Sequence, residues 1–400
     1  MLNRPLYLNR LISLKDKQLI KIITGIRRCG KSALFELFQD YLLQNGVSKQ
    51  QIQSINFEEN DNEDLQNYKL LYQHIKKNLV PDKMNYIFLD EIQNVPEFQK
   101  TVDSLYIQKN VDLYVTGSNA YLLSGELATL LSGRYIEINM LPLSFKEYSQ
   151  AFPNVSKSDL FPNYIQNSSF PYAIQLQDDP SSLYQYLDGI YNTILIKDIA
   201  NRKKMTDTSQ LHRIVRFMAD NIGNITSIKK ISDTMKSDRQ DIAPHTVDAY
   251  LTALKESFIL YAASRYDVKG KEYLKTGEKY YLADVGLRYM LLGNKAQDFG
   301  HILENIVYLE LLRRGYKVYV GKVGTQEVDF IALKGTDTEY YQVSLSVLDK
   351  NTLQRELSPL EKILDHNPKF LLTLDALPVS SHNGIKQINA LDWLLDVADR

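Results

Sequence analysis

A lysine and a hydroxyl at the end of a glycine-framed turn are the residues of this chain most suited to chemistry. Gly25-Ile26-Arg27-Arg28-Cys29-Gly30-Lys31-Ser32 fits G-x-x-x-x-G-K-[ST]. In that pattern the glycines let the backbone curl until successive N–H groups converge on an anion. Lys31 would reach the terminal phosphates of a nucleotide, and the Ser32 hydroxyl would ligate Mg²⁺. The expected nucleotide contacts are therefore Gly25, Arg27, Arg28, Cys29, Gly30, Lys31, Ser32 and Ala33. Hydrolysis needs in addition an acid for the metal and a base for water. The apolar run Tyr86-Ile87-Phe88-Leu89 ends in Asp90-Glu91. Asp90 would hold Mg²⁺ through water, and Glu91 would polarise the nucleophile. Ser118, in Thr116-Gly117-Ser118-Asn119, stands where a γ-phosphate sensor is placed, and equally fits a plain β-turn. Arg134 would stabilise charge on the transferring phosphoryl group, offered in cis or by a neighbouring subunit, or else is an exposed structural arginine.

These residues need elements to hold them. Ile20, Ile22, Ile23 and Thr24 read as a buried strand before the turn, and Ala33, Leu34, Leu37 and Phe38 recur with helical spacing after it. Further strands are expected at 52–57, 86–91, 111–116 and 135–140, with helices at 33–44, 63–79, 97–109 and 120–131. This alternation predicts a parallel sheet with helices on both faces over residues 1–150. The helix that follows the turn adds free N–H groups and its positive dipole end to the anion site.

The stretches "TGIRRCGKS", "IFLDEIQNV", "VTGSNA" and "SGRYIEINMLPLSFKEY" resemble the prokaryotic AAA-type ATPases of the AAA+ superfamily, whose chain continues into a C-terminal domain of unknown function. The resemblance spans nearly the whole sequence and implies ATP as the nucleotide.

Prolines at 153, 162, 171 and 180 mark a change after the first domain, and residues 151–205 read as a helical connector. Three helical runs near 208–221, 226–236 and 244–260, then an alternating stretch with glycines at 270 and 277, predict a winged helix-turn-helix over 206–292. Its wing carries Arg265, Lys269, Lys271, Lys275 and Lys279, which favours non-specific phosphate contact with DNA. The third helix turns Asp248 and Glu256 outward, which favours a protein partner instead. From 293 to 400, Glu304 on a helix, Asp329 in a strand and Gln342-Val343-Ser344 in the next resemble the core of the PD-(D/E)XK nucleases. Gln342 and Ser344 stand where that pattern has an acid and a lysine, so the domain is expected to be nuclease-inactive unless Lys322 or Lys334 replaces the lysine.

Composition bounds the rest. Four hundred residues, 44% of them hydrophobic, are ample for two or three domains. A formal net charge of −1 gives no bulk drive toward nucleic acid or membrane. The single cysteine, Cys29, cannot form an internal disulfide, and with no signal peptide and no long apolar stretch the expected location is cytoplasmic. Positive surroundings would lower the Cys29 thiol pKa, but a small tolerated residue is the better reading of Cys29 than a redox role. The function expected is ATP hydrolysis with Mg²⁺, coupled to a winged-helix and nuclease-like binding module. The alternatives are a slow nucleotide-gated switch acting on an unidentified protein, with a homo-oligomer required only if Arg134 acts in trans, and an ATP-controlled nuclease.

Overall fold

The computed structural model describes residues 2–118, 120, 133–200, 208–237, 242–270, 272–294 and 298–397. They fall into two compact units, residues 1–140 with Glu256–Phe258, and residues 141–255 with 259–400.

The first unit runs α1 (Pro5–Leu14), β1 (Ile20–Thr24), α2 (Lys31–Gln44), β2 (Ile52–Asn56), α3 (Tyr68–Lys77), β3 (Asn85–Asp90), α4 (Phe98–Tyr106), β4 (Val111–Gly117) and β5 (Tyr135–Asn139). Its five strands are parallel in the order β2-β3-β4-β1-β5. Both β3 and β4 are buried along their whole length, which is why they read as continuous apolar runs rather than alternations. One sheet face packs Ile22, Leu89 and Val115 against Leu71 and Ile75 of α3 and Val102 and Leu105 of α4. On α2, Phe35 sits 5.0 Å from Phe88 and Phe38 5.0 Å from Tyr114, ring centroid to ring centroid. The helix expected at 63–79 is divided: a 3-10 stretch covers Asn60–Gln66, and α3 begins only after Asn67, whose side chain accepts from the N–H groups of Lys69 and Leu70. The helix expected at 120–131 lies, apart from residue 120, outside the described residues.

The second unit runs α5 (Phe145–Ser149), α6 (Lys157–Gln166), α7 (Pro180–Thr193), α8 (Thr208–Asp220), α9 (Ile228–Ser237), α10 (Pro244–Glu256), β6 (Leu260–Asp267), β7 (Glu272–Leu282), α11 (Val285–Leu292) and α12 (Phe299–Arg313). It ends with β8 (Lys317–Val323), β9 (Gln326–Lys334), β10 (Asp337–Val343), α13 (Lys350–Glu361), β11 (Lys369–Thr373), β12 (Ser380–His382), β13 (Ile385–Asn389) and α14 (Ala390–Leu395). Eight strands form one mixed sheet in the order β12-β13-β11-β10-β9-β8-β6-β7. The three helices and the hairpin expected before residue 292 are present, but the hairpin is no detached wing. Strand β6 pairs in parallel with β8, Arg265 opposite Val320, so the sheet crosses the boundary expected at 292/293. A lone two-stranded ribbon is marginal in water, and an added neighbour strand stabilises it. Lys279, expected on the wing surface, is turned inward and 3% exposed. Lys271 and the side chain of Lys275 lie outside the described residues. Among the described residues no helix is long and apolar enough to cross a membrane.

The strand starts of the first unit hold a buried charge pair. Lys21 of β1 is fully buried and pairs with Asp112 of β4, while its ammonium also donates to the Lys17 carbonyl at 2.7 Å. The Asp112 carboxylate accepts as well from the Asp16 N–H and the Tyr114 hydroxyl, both at 2.8 Å. Removing one partner would strand the other charge away from water, at a cost of about 3–5 kcal/mol. Asp112→Ala should lose about that much in urea unfolding of this unit, whereas Lys21→Met/Asp112→Leu should recover most of it.

Candidate nucleotide site

In a parallel sheet, ligands lie beyond the C-terminal strand ends. Here β4 separates β1 from β3, so the loop after β1, the acids after β3 and the polar end of β4 converge. The Gly25–Ser32 loop is shaped by residues that need unusual backbone angles. At Gly25, φ is 149°, and an added Cβ would lie 2.2 Å from the Met140 carbonyl oxygen. Gly30, at φ 104°, caps α2, and Arg28 takes a left-handed φ of 68°. A non-glycine residue in that region stores strain that its surroundings must hold.

Lys31 is 4% exposed. Its ammonium donates to the carbonyls of Gly25 (3.1 Å) and Ile26 (3.4 Å) and lies 3.5 Å from Glu91 Oε1. Burial is the largest influence and works to lower its pKa, but Glu91, Cys29 and Asp90 together outweigh it and keep the ammonium charged. At Glu91 burial acts upward, yet Lys31, Gln93 and Arg27 hold the carboxyl below the usual range. Glu91 itself leaves the strand with a left-handed φ of 54°. At Asp90, burial pushes the carboxyl up against the hydrogen bonds it takes from Ser32 and Thr116. Thr116 also accepts from the Glu91 N–H at 2.9 Å, so one hydroxyl spans both acids. Gln93 donates to Glu91 Oε2 and to the Ser118 hydroxyl, the latter at 3.3 Å. Arg27 pairs with Glu58 at 2.7 Å.

The structure thus brings together Gly25, Arg27, Arg28, Cys29, Gly30, Lys31, Ser32, Ala33, Asp90, Glu91 and Ser118 at one end of the sheet. Asn119 lies outside the described residues. Arg134 is set apart: it precedes β5, whose first residue pairs with Ile20 at the opposite, N-terminal end of β1. Its guanidinium pairs with Asp103 and lies 5.6 Å over the Tyr106 ring. The sequence held a signal for this, because every converging group ends or follows its strand whereas Arg134 comes before one. Thr116 and Gln93 lay within quoted motifs without an assigned role. Arg4 carried no sequence signal, and its guanidinium, 3% exposed, donates to the Cys29 carbonyl at 3.0 Å.

The hard oxygen set of Asp90 and Ser32 suits Mg²⁺, which takes few protein ligands and leans on phosphates and water.

An AAA domain model matches residues 17–149, and a model described as a domain of unknown function matches residues 158–298. An uncharacterized protein of Haemophilus influenzae is 42% identical over 401 positions, covering 99% of each chain. An uncharacterized protein of Methanocaldococcus jannaschii is 30% identical over 365 positions, 86% of this chain and 78% of that one. Among solved structures, a Walker-type ATPase of Pyrococcus abyssi superposes with a TM-score of 0.49 at 15% identity, covering 73% of this chain and 96% of that one.

Cys29 corrects the sequence expectation. It is fully buried, and burial pushes its thiol up in spite of Lys31 and Arg4 nearby, since desolvating a thiolate costs more than those cations return. The native protein at pH 8 should therefore leave Cys29 unreacted toward a disulfide reagent, and one thiol per chain should titrate after denaturation.

Proposed function

We propose, for a chain that belongs to the AAA+ P-loop ATPase family, that residues 1–150 bind ATP with Mg²⁺ and hydrolyse it. The single observation that carries this is the Lys31–Glu91 ion pair set beside Asp90, Ser32 and Thr116. It combines a phosphate-binding cation, metal-ligand oxygens and a base in one place. Nucleotide phosphates compete with Glu91 and the loop carbonyls for the Lys31 ammonium. As Lys31 turns to the phosphates, Glu91 loses its counter-charge and becomes free to accept a proton from the attacking water. Ser32 and Asp90 would hold Mg²⁺, which supplies charge neutralisation on the phosphates. Ser118, tied to Glu91 through Gln93, is suited to report the γ-phosphate to the base. Arg134, at the other end of the sheet, has no part in cis; a role for it requires a homo-oligomer that presents it in trans.

The nucleotide state would be passed to the second unit, which binds a partner. The withdrawal of Lys279 removes one cation from the hairpin expected to meet DNA and favours the second reading, a switch acting on a protein. Fluorescence anisotropy with duplex and single-stranded oligonucleotides across a salt series separates the two. Binding that falls steeply with salt supports nucleic acid, and no binding at low salt supports the protein partner.

Lys31→Ala should abolish ATP binding. Glu91→Gln should keep ATP binding and lower turnover by about 100-fold or more. A wild-type rate equal to that of Glu91→Gln would overturn hydrolysis as the output and leave nucleotide occupancy as the signal.

A further inference from the structure

The second unit contains a cleft of about 680 Å³ whose lining includes Lys279, Glu304, Glu327, Asp329, Gln342 and Arg355. Strand β7 supplies the lysine, α12 Glu304, β9 Glu327 and Asp329, and β10 the glutamine. The nuclease-like pattern read from the sequence implies a divalent metal held by Glu304 and Asp329, with a lysine beside it to orient water. Lys334 does not come to this place, since its ammonium donates to the Arg314 carbonyl at 2.8 Å. Lys322 lies beside Asp267. The cation that does arrive is Lys279, which belongs to the hairpin.

Its position decides what the cluster can hold. The Lys279 ammonium is 2.8 Å from Glu304 Oε1, 2.7 Å from Glu327 Oε1 and 3.6 Å from Asp329 Oδ1. Glu304 Oε1 also accepts from the Tyr281 hydroxyl at 2.6 Å, and its other oxygen faces His301 at 3.6 Å. Asp329 accepts from the Val343 N–H at 2.9 Å. The Gln342 amide is engaged at both atoms, its oxygen accepting from the Asp329 N–H at 3.3 Å and its nitrogen donating to Glu356 at 2.8 Å. A divalent ion needs these carboxylate oxygens at ~2.0–2.6 Å, in the space the ammonium fills. The ammonium reaches two of these carboxylates at hydrogen-bond distance and lies within ion-pair range of the third, so acids that would ligate a metal are already engaged with it. Burial works against its charge, but the acids outweigh burial and keep it protonated. The residues therefore do not fit the metal that the pattern implies.

We propose that Lys279 is the resident cation of this cleft: the chain's own ammonium occupies the seat of a divalent ion, excludes it, and leaves a module that takes its ligand without metal and does not hydrolyse phosphodiesters. The sequence expectation of an inactive domain is kept, for a different reason. A lysine is available, and it replaces the metal instead of serving it.

The full-length protein without nucleotide tests this by Mn²⁺ titration and thermal melting, with circular dichroism to check folding. Lys279→Met removes the ammonium and gathers three uncompensated carboxylates. Without metal it should melt below wild type, and Mn²⁺ should raise its melting temperature. Its Mn²⁺ affinity should exceed that of wild type by about tenfold or more, and Asp329→Asn in the same chain should remove the gain. Failure of a folded Lys279→Met protein to take up Mn²⁺ would overturn the proposal, as would wild-type Mn²⁺ binding that Asp329→Asn abolishes. A second measurement needs no Lys279 variant. Wild-type protein should leave supercoiled plasmid intact with Mg²⁺ or Mn²⁺, with or without ATP, and nicking that disappears in Asp329→Ala would refute the assignment.

Discussion

A charge taken out of water must be matched by an opposite charge close by, and this chain meets that requirement with lysines. Lys21, Lys31 and Lys279 are each no more than 4% exposed, and each faces carboxylates. An isolated buried ammonium would shed its proton or pull water in after it. The pairings hold together parts that are distant along the chain. Lys21 ties β1 to β4, Lys31 ties the loop after β1 to the residue after β3, and Lys279 ties the hairpin to α12 and β9. Only one of the three stands where a nucleotide could take over the partner's role. Lys31 lies on loop carbonyls and a single carboxylate, whereas Lys279 is surrounded on three sides.

The first unit was legible wherever its signals were local. The glycine spacing of the loop, the apolar run ending in Asp90-Glu91 and the helical spacing after Lys31 each lie within one element, and the parallel sheet follows from their alternation. Reading failed where a residue's environment is set by distant chain. Side-chain chemistry leaves Arg134 open between a role on the phosphoryl group and an exposed structural arginine, and its place before β5, at the opposite end of the sheet, is set by chain that local spacing does not show. Cys29 was judged by the charges beside it, although desolvation is the larger effect at a fully buried thiol.

Lys279 shows both limits at once. Alternation along β7 sets Lys279 and Tyr281 on one face, and Tyr281 is fully buried, so period two already pointed the lysine inward. What no local pattern carried was that the hairpin joins a sheet built from residues after 316, where Glu327 and Asp329 wait for it. Counting the lysine as wing surface followed from treating the hairpin as a separate module.

The parallel pairing of β6 with β8 has a consequence for how the chain is made. Arg265 must find Val320, fifty-five positions later, while its partner strand in the hairpin is only a short turn away. On a ribosome adding ~5–20 residues per second, the hairpin emerges a few seconds before β8 exists. For that interval the nascent chain presents an open strand edge and a lysine without its acids. An edge of that kind recruits other strands, including the same hairpin of a neighbouring chain. Fast-growing cells, with many ribosomes on one message, would put such edges close together, so the yield of folded protein should depend on the pace of translation between residues 282 and 330.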